Sequence, residues 1–97
     1  MGNENYLNYE TLETGANFYQ NQSVAITDIM SALSRMNLQL EEGWQNETAR
    51  AFIEKYEREY APSLKRMAED LENISMYILR YSQNRREEDS SGAAGLR

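Results

Sequence analysis

From Tyr9 to Leu40 the apolar residues return at alternating steps of four and three: Leu12, Ala16, Tyr19, Ser23, Ile26, Met30, Leu33, Asn37 and Leu40, with Ser23 and Asn37 the polar members. Steps that average about 3.5 residues keep returning to one face of a helix, whereas a half-buried strand needs strict alternation. Ile29 and Met36 widen the stripe by one row, and Gly15 weakens its first turns. The pattern predicts a first helix over about 11–41.

A second stripe runs Phe52, Tyr56, Tyr60, Leu64, Met67, Leu71, Ile74, Ile78 and Tyr81, again in steps of three or four, and predicts a second helix over about 47–84. Its outer face pairs opposite charges, as in Glu47–Arg50, Glu54–Arg58, Lys55–Glu59, Lys65–Glu69 and Arg66–Asp70. Each such pair adds only about 0.2–0.5 kcal/mol. Pro62 falls inside the stripe and cannot donate to the Arg58 carbonyl, so a bend is expected there. The stripe continues past it, which argues against a stop.

Glu41-Glu42-Gly43-Trp44-Gln45-Asn46 interrupts both patterns. Gly43 suits the positive φ that often ends a helix, and Asn46 suits either the cap of the next helix or a left-handed residue. A stop and a start this close, with the turn at 42–46, make an antiparallel helix-turn-helix hairpin and an all-α fold. Outside it, residues 1–10 are polar and expected to form a flexible N-terminal arm. Residues 85–97 lack periodicity and are expected to form a disordered C-terminal tail.

Two helices share one contact line, yet each stripe is two or three rows wide. Ile29, Met36, Ile53, Met76 and Leu79 lie beside the main seams and would stay wet in a lone hairpin. Small scaffolds without disulfides or metal commonly solve this by associating, and two hairpins side by side make a four-helix bundle. The seam residues Leu12, Tyr19, Ile26, Met30, Leu33, Leu40, Tyr56, Tyr60, Leu64, Met67, Leu71, Ile74, Ile78 and Tyr81 are therefore assigned to the bundle core.

Charge narrows the partners. Residues 1–43 hold six acidic residues and one Arg, whereas 44–97 hold ten acidic and nine basic residues. First helix against first helix would be mildly repulsive; first against second would not. The net charge of −6 and the lack of a basic stripe disfavour nucleic acid. The N-terminus lacks the pattern of a cleaved signal peptide, and no apolar run is long enough for membrane insertion. With neither Cys nor His in the chain, no nucleophile–base pair, metal set or cofactor motif stands out, so no enzyme and no cofactor are expected.

The turn sequence Gly43-Trp44-Gln45-Asn46-Glu47-Thr48-Ala49-Arg50-Ala51-Phe52 resembles the hallmark of the Trp-Xaa-Gly (WXG) family of hundred-residue type VII secretion substrates, the ESAT-like proteins. Trp44 stands at the family's Trp position and Phe52 at its aromatic position, with Gly43 preceding the motif. Asn46 replaces the motif's Gly. A second departure lies at the other end, where many exported members carry Tyr-Xaa-Xaa-Xaa-Asp/Glu. Here Tyr81 is followed four positions on by Arg85, and Glu87 and Glu88 lie out of spacing, as in a degraded export signal.

The resemblance implies a secreted, virulence-associated type VII substrate that acts through helix–helix protein binding. It would leave the cell without a cleaved signal peptide, from a cytoplasmic dimer. The implied partners are a second copy or a related helical-hairpin protein, and the secretion ATPase. The altered signal leaves an alternative open, a cytosolic adaptor that pairs with the helical leader domain of a larger toxin and targets it for export.

Overall fold

The computed structural model describes the backbone of residues 6–95 and the side chains of residues 6–89. Helix α1 spans Tyr9–Gly43, α2 spans Glu47–Lys55, a π-helical turn covers Tyr56–Tyr60, and α3 runs Ala61–Gly95. α2, the π turn and α3 form one continuous rod that folds back along α1, in a hairpin of 75 × 23 × 19 Å. Asn8 caps α1, its side-chain oxygen accepting from the Thr11 N–H at 3.0 Å.

The contact line between the rods is built from small residues. Ala16, Ala49, Ile53, Tyr56 and Ala68 are the buried apolar side chains, joined by buried Ser23, Ser75 and Ser82. Two hydroxyls tie the register: Ser23 Oγ donates to the Ala68 carbonyl, and Ser75 Oγ donates to the Ala16 carbonyl, both at 2.7 Å. Seven residues forward on α1 match seven residues back on α3, as antiparallel rods require. Small side chains let the backbones approach closely, but they bury little apolar area.

The π turn explains why this contact line differs from the even stripe of the second helix. Inward positions run 49, 53 and 56, then jump five residues to 61, and continue 64, 68, 71, 75, 78 and 82. The Ala61 N–H donates to the Tyr56 carbonyl, five residues back. A regular helix would require a donor at Pro62 for the Arg58 carbonyl and would press the ring against it. Widening the turn by one residue relieves both problems, so a π turn stands where a bend was expected. Every position beyond it is rotated by one residue.

An expectation about the far end changes as well. Residues 85–95, expected to be a disordered tail, continue α3. Polar contacts hold the near part of this segment: Arg86 pairs with Glu13 at 2.9 Å and lies over the Tyr9 ring at 4.8 Å, and the Tyr9 hydroxyl donates to Asp89. Such contacts leave no trace in a hydrophobic pattern. Residues 1–5 of the expected arm and 96–97 of the expected tail lie outside the described residues. The pairs expected along the outer face of the second helix do not close; the ion pairs among the described residues are Arg58–Glu59, Arg85–Glu88 and Arg86–Glu13. Exposed charges pay side-chain entropy to pair and gain little by it.

Candidate functional site: the turn and an uncovered apolar face

At the tip, Gly43 is the last residue of α1 and Trp44 ends it with φ −139° and ψ 71°. No positive φ occurs among the described residues, so Gly43 does not take the left-handed role expected of it. The chain reverses instead through a three-residue turn, the Asn46 N–H donating to the Trp44 carbonyl at 3.1 Å. Gln45 Nε2 donates back to the Glu42 carbonyl at 3.0 Å, satisfying an end group of α1.

Asn46 sits in extended backbone, φ −151°, and its side-chain oxygen accepts from the Ala49 N–H at 2.9 Å. Of the two roles its sequence left open, it takes the cap. An Asn in the motif's Gly position therefore needs no unusual backbone and adds a hydrogen bond. The Trp44 and Phe52 rings lie 6.3 Å apart at 37°, both partly exposed, at the outer end of the hairpin.

The seam residues divide into two sets. Tyr56 is buried, and Leu12, Ile26, Met30, Leu40, Leu64, Leu71 and Ile78 are half-buried along the contact line. Tyr19, Leu33, Tyr60, Met67, Ile74 and Tyr81 are exposed. Of the residues expected beside the seam, Ile53 is buried and Leu79 half-buried, whereas Ile29, Met36 and Met76 are exposed.

Six of these exposed residues share an order. Ile29 and Met36 each precede an inward residue of α1, Met30 and Asn37. Tyr60, Met67, Ile74 and Tyr81 each precede one of the second rod, Ala61, Ala68, Ser75 and Ser82. One residue is about 100° of helix rotation. Seen from one end, one rod winds clockwise and its antiparallel neighbour counter-clockwise. The step back by one residue therefore carries both rows to the same side of the hairpin.

The opposite side is more polar: Thr27, Lys65, Glu69 and Glu72, lying on the other flank of the inward positions, share a groove there, and exposed Val24, Leu38 and Met76 are scattered along that flank. Between Thr14 and Leu40, moreover, α1 carries only two charged residues, Asp28 and Arg35. The hairpin thus presents one long apolar face that it does not itself cover.

At the far end, Tyr81 is exposed, Arg85 is half-buried and pairs with Glu88 at 3.4 Å, and Glu87 is exposed. The Tyr–carboxylate contact of this region is Tyr9–Asp89, made across the hairpin. It holds the Tyr9 phenol above its usual pKa of 10.0, through the hydrogen bond first, then desolvation and the charge of Asp89. No helix among the described residues is long and apolar enough to cross a membrane.

Comparison with curated proteins gives no match, and neither does comparison with solved structures. The model of the WXG100 family, "Proteins of 100 residues with WXG", matches residues 6–90, which takes in α1, the Trp44 turn, the π turn and α3 as far as its polar clasp. This chain belongs to the WXG100 family.

Proposed function

We propose that the protein is a type VII secretion substrate whose uncovered apolar face mates with a second helical hairpin, forming a four-helix bundle that is the exported unit. Membership in the WXG100 family implies a small ESAT-like substrate of such a system. The single observation that carries the reading is the alignment of Ile29, Met36, Tyr60, Met67, Ile74 and Tyr81 on one side of the hairpin. Large apolar side chains gathered on one face, opposite a more polar one, mark an interaction surface. The mate is a second copy of the chain or a related hairpin, and the secretion ATPase is the second partner. Export proceeds from a cytoplasmic dimer.

Deleting the secretion ATPase in the producing organism tests this. The protein is expected in culture supernatant of the parent strain and confined to the cell in the deletion strain. Equal amounts in both supernatants refute it.

A second reading has its own observation. Arg85 occupies the place of the acid that many exported members of the family carry four residues after the Tyr. A chain with that change is suited to escort a partner that bears the signal, as an adaptor for the helical leader domain of a larger toxin. Mass measurement of the protein purified alone separates the two: a stable self-dimer supports the first, a monomeric and partly unfolded species the second.

A further inference from the structure

The polar side of the hairpin holds a second groove, at the level of the π turn, lined by Asn37, Leu38, Glu41, Tyr56, Glu57 and Ala61 among others. Leu38 and Glu57 follow the inward residues Asn37 and Tyr56, so the groove opens away from the apolar face. The π turn is what leaves it open. In an uninterrupted α-helix the residue four after Tyr56 would face inward, and the Tyr60 ring would fill this space. The extra residue puts the methyl group of Ala61 there and turns Tyr60 outward, where it is 50% exposed.

We propose that this groove receives the guanidinium of an arginine side chain presented by a partner protein. Glu41 and Glu57 bring two carboxylates to it, neither is ion-paired among the described residues, and no basic side chain lines it. Tyr56 is only 8% exposed, and its hydroxyl is buried without a hydrogen-bond partner. A guanidinium supplies five donors and no acceptor, the complement of two carboxylates and a phenolic oxygen. Exposed Leu38 and half-buried Ala61 offer an apolar wall to the methylene stem. Arginine fits better than lysine because its planar fork engages carboxylates bidentately. The groove lies across the hairpin from the apolar face, so a second hairpin and this side chain can bind together.

The test is an NMR titration of the 15N-labelled full chain with N-acetylarginine amide, beside the neutral isostere N-acetylcitrulline amide. Arginine amide should cause saturable shifts at the amides of Asn37, Leu38 and Ala61, and citrulline amide should not. Glu41→Gln with Glu57→Gln, both at exposed positions, should abolish saturation while the circular dichroism is unchanged. Tyr56→Phe, which keeps the ring, should weaken binding several-fold. Equal shifts with citrulline, shifts spread along all acidic positions, or undiminished binding by the double variant would overturn the assignment.

Discussion

Two adjacent residues test the one-residue shift in the second rod. Ala68 is 7% exposed and its carbonyl accepts the Ser23 hydroxyl, whereas Met67 beside it is 53% exposed. Ala68→Leu puts a branched side chain where the rods touch, and overpacking of this kind costs about 1–3 kcal/mol. Forcing the rods apart also breaks the Ser23 bond, another 0.5–1.5 kcal/mol or so. The sum, about 2–4 kcal/mol, is a large part of what a small domain has, and corresponds to a fall in Tm of roughly 10–25 °C.

Met67→Ala removes a side chain already half in water. Full burial of a Met contributes about 1.5–3 kcal/mol, so the hairpin alone loses about 1 kcal/mol or less. Urea unfolding followed by circular dichroism at two protein concentrations checks both variants. The Ala68→Leu loss should appear at each concentration. The Met67→Ala loss should grow with concentration, because Met67 belongs to the face that associates. An unshifted helix reverses the ranking: Met67→Ala would then cost about 2–5 kcal/mol at any concentration, and Ala68→Leu almost nothing. That result would refute the π-turn register.

Asn46→Ala should cost about 1 kcal/mol and Asn46→Gly only a few tenths, read from urea midpoints, because the cap rather than a special backbone angle is what Asn46 contributes. Tyr56→Phe should leave stability unchanged or raised, since the hydroxyl it removes is buried without a partner. Arg86→Gln should speed amide hydrogen exchange over residues 85–89 with little change in global stability, as expected for an exposed pair. The raised pKa of Tyr9 means that the folded state holds the phenolic proton more tightly than the unfolded chain does. Its contribution is complete below about pH 10 and lost as pH rises through the higher folded value, a late phenol absorbance transition that Tyr9→Phe should delete.

The two rods and their meeting at Trp44 were legible because steps of three and four persist over many turns and nothing competes with them. The turn was legible as a turn, but not in its geometry. Gly43 suggested a positive φ, while the reversal uses Trp44 to Asn46 and side-chain bonds from Gln45 and Asn46, which many residues could supply. The second stripe misled in an instructive way. Phe52, Tyr56, Tyr60, Leu64, Met67, Leu71, Ile74, Ile78 and Tyr81 keep even steps because they mix inward residues with the apolar flank.

Ala61, Ala68, Ser75 and Ser82, which face α1, look unremarkable in a hydrophobicity pattern. Only Pro62 hinted at the discontinuity, and a proline alone does not say whether a helix bends or widens. The far end was misjudged for another reason: Tyr9, Glu13, Arg86 and Asp89 meet through charge and hydrogen bonding between residues far apart in the chain. The family, by contrast, was written in the Trp44 turn and in the lengths of the rods on either side.

Sedimentation equilibrium of the purified full chain, with Ile29→Lys and Ile74→Lys variants alongside, tests most directly whether the apolar face is a binding surface. The wild-type chain should show twice its own mass at micromolar concentrations, or lose cooperative unfolding if its natural mate is a different hairpin. Either lysine should abolish the dimer without reducing helix content. A cooperatively folded monomer at every concentration, indifferent to both lysines, would contradict the account.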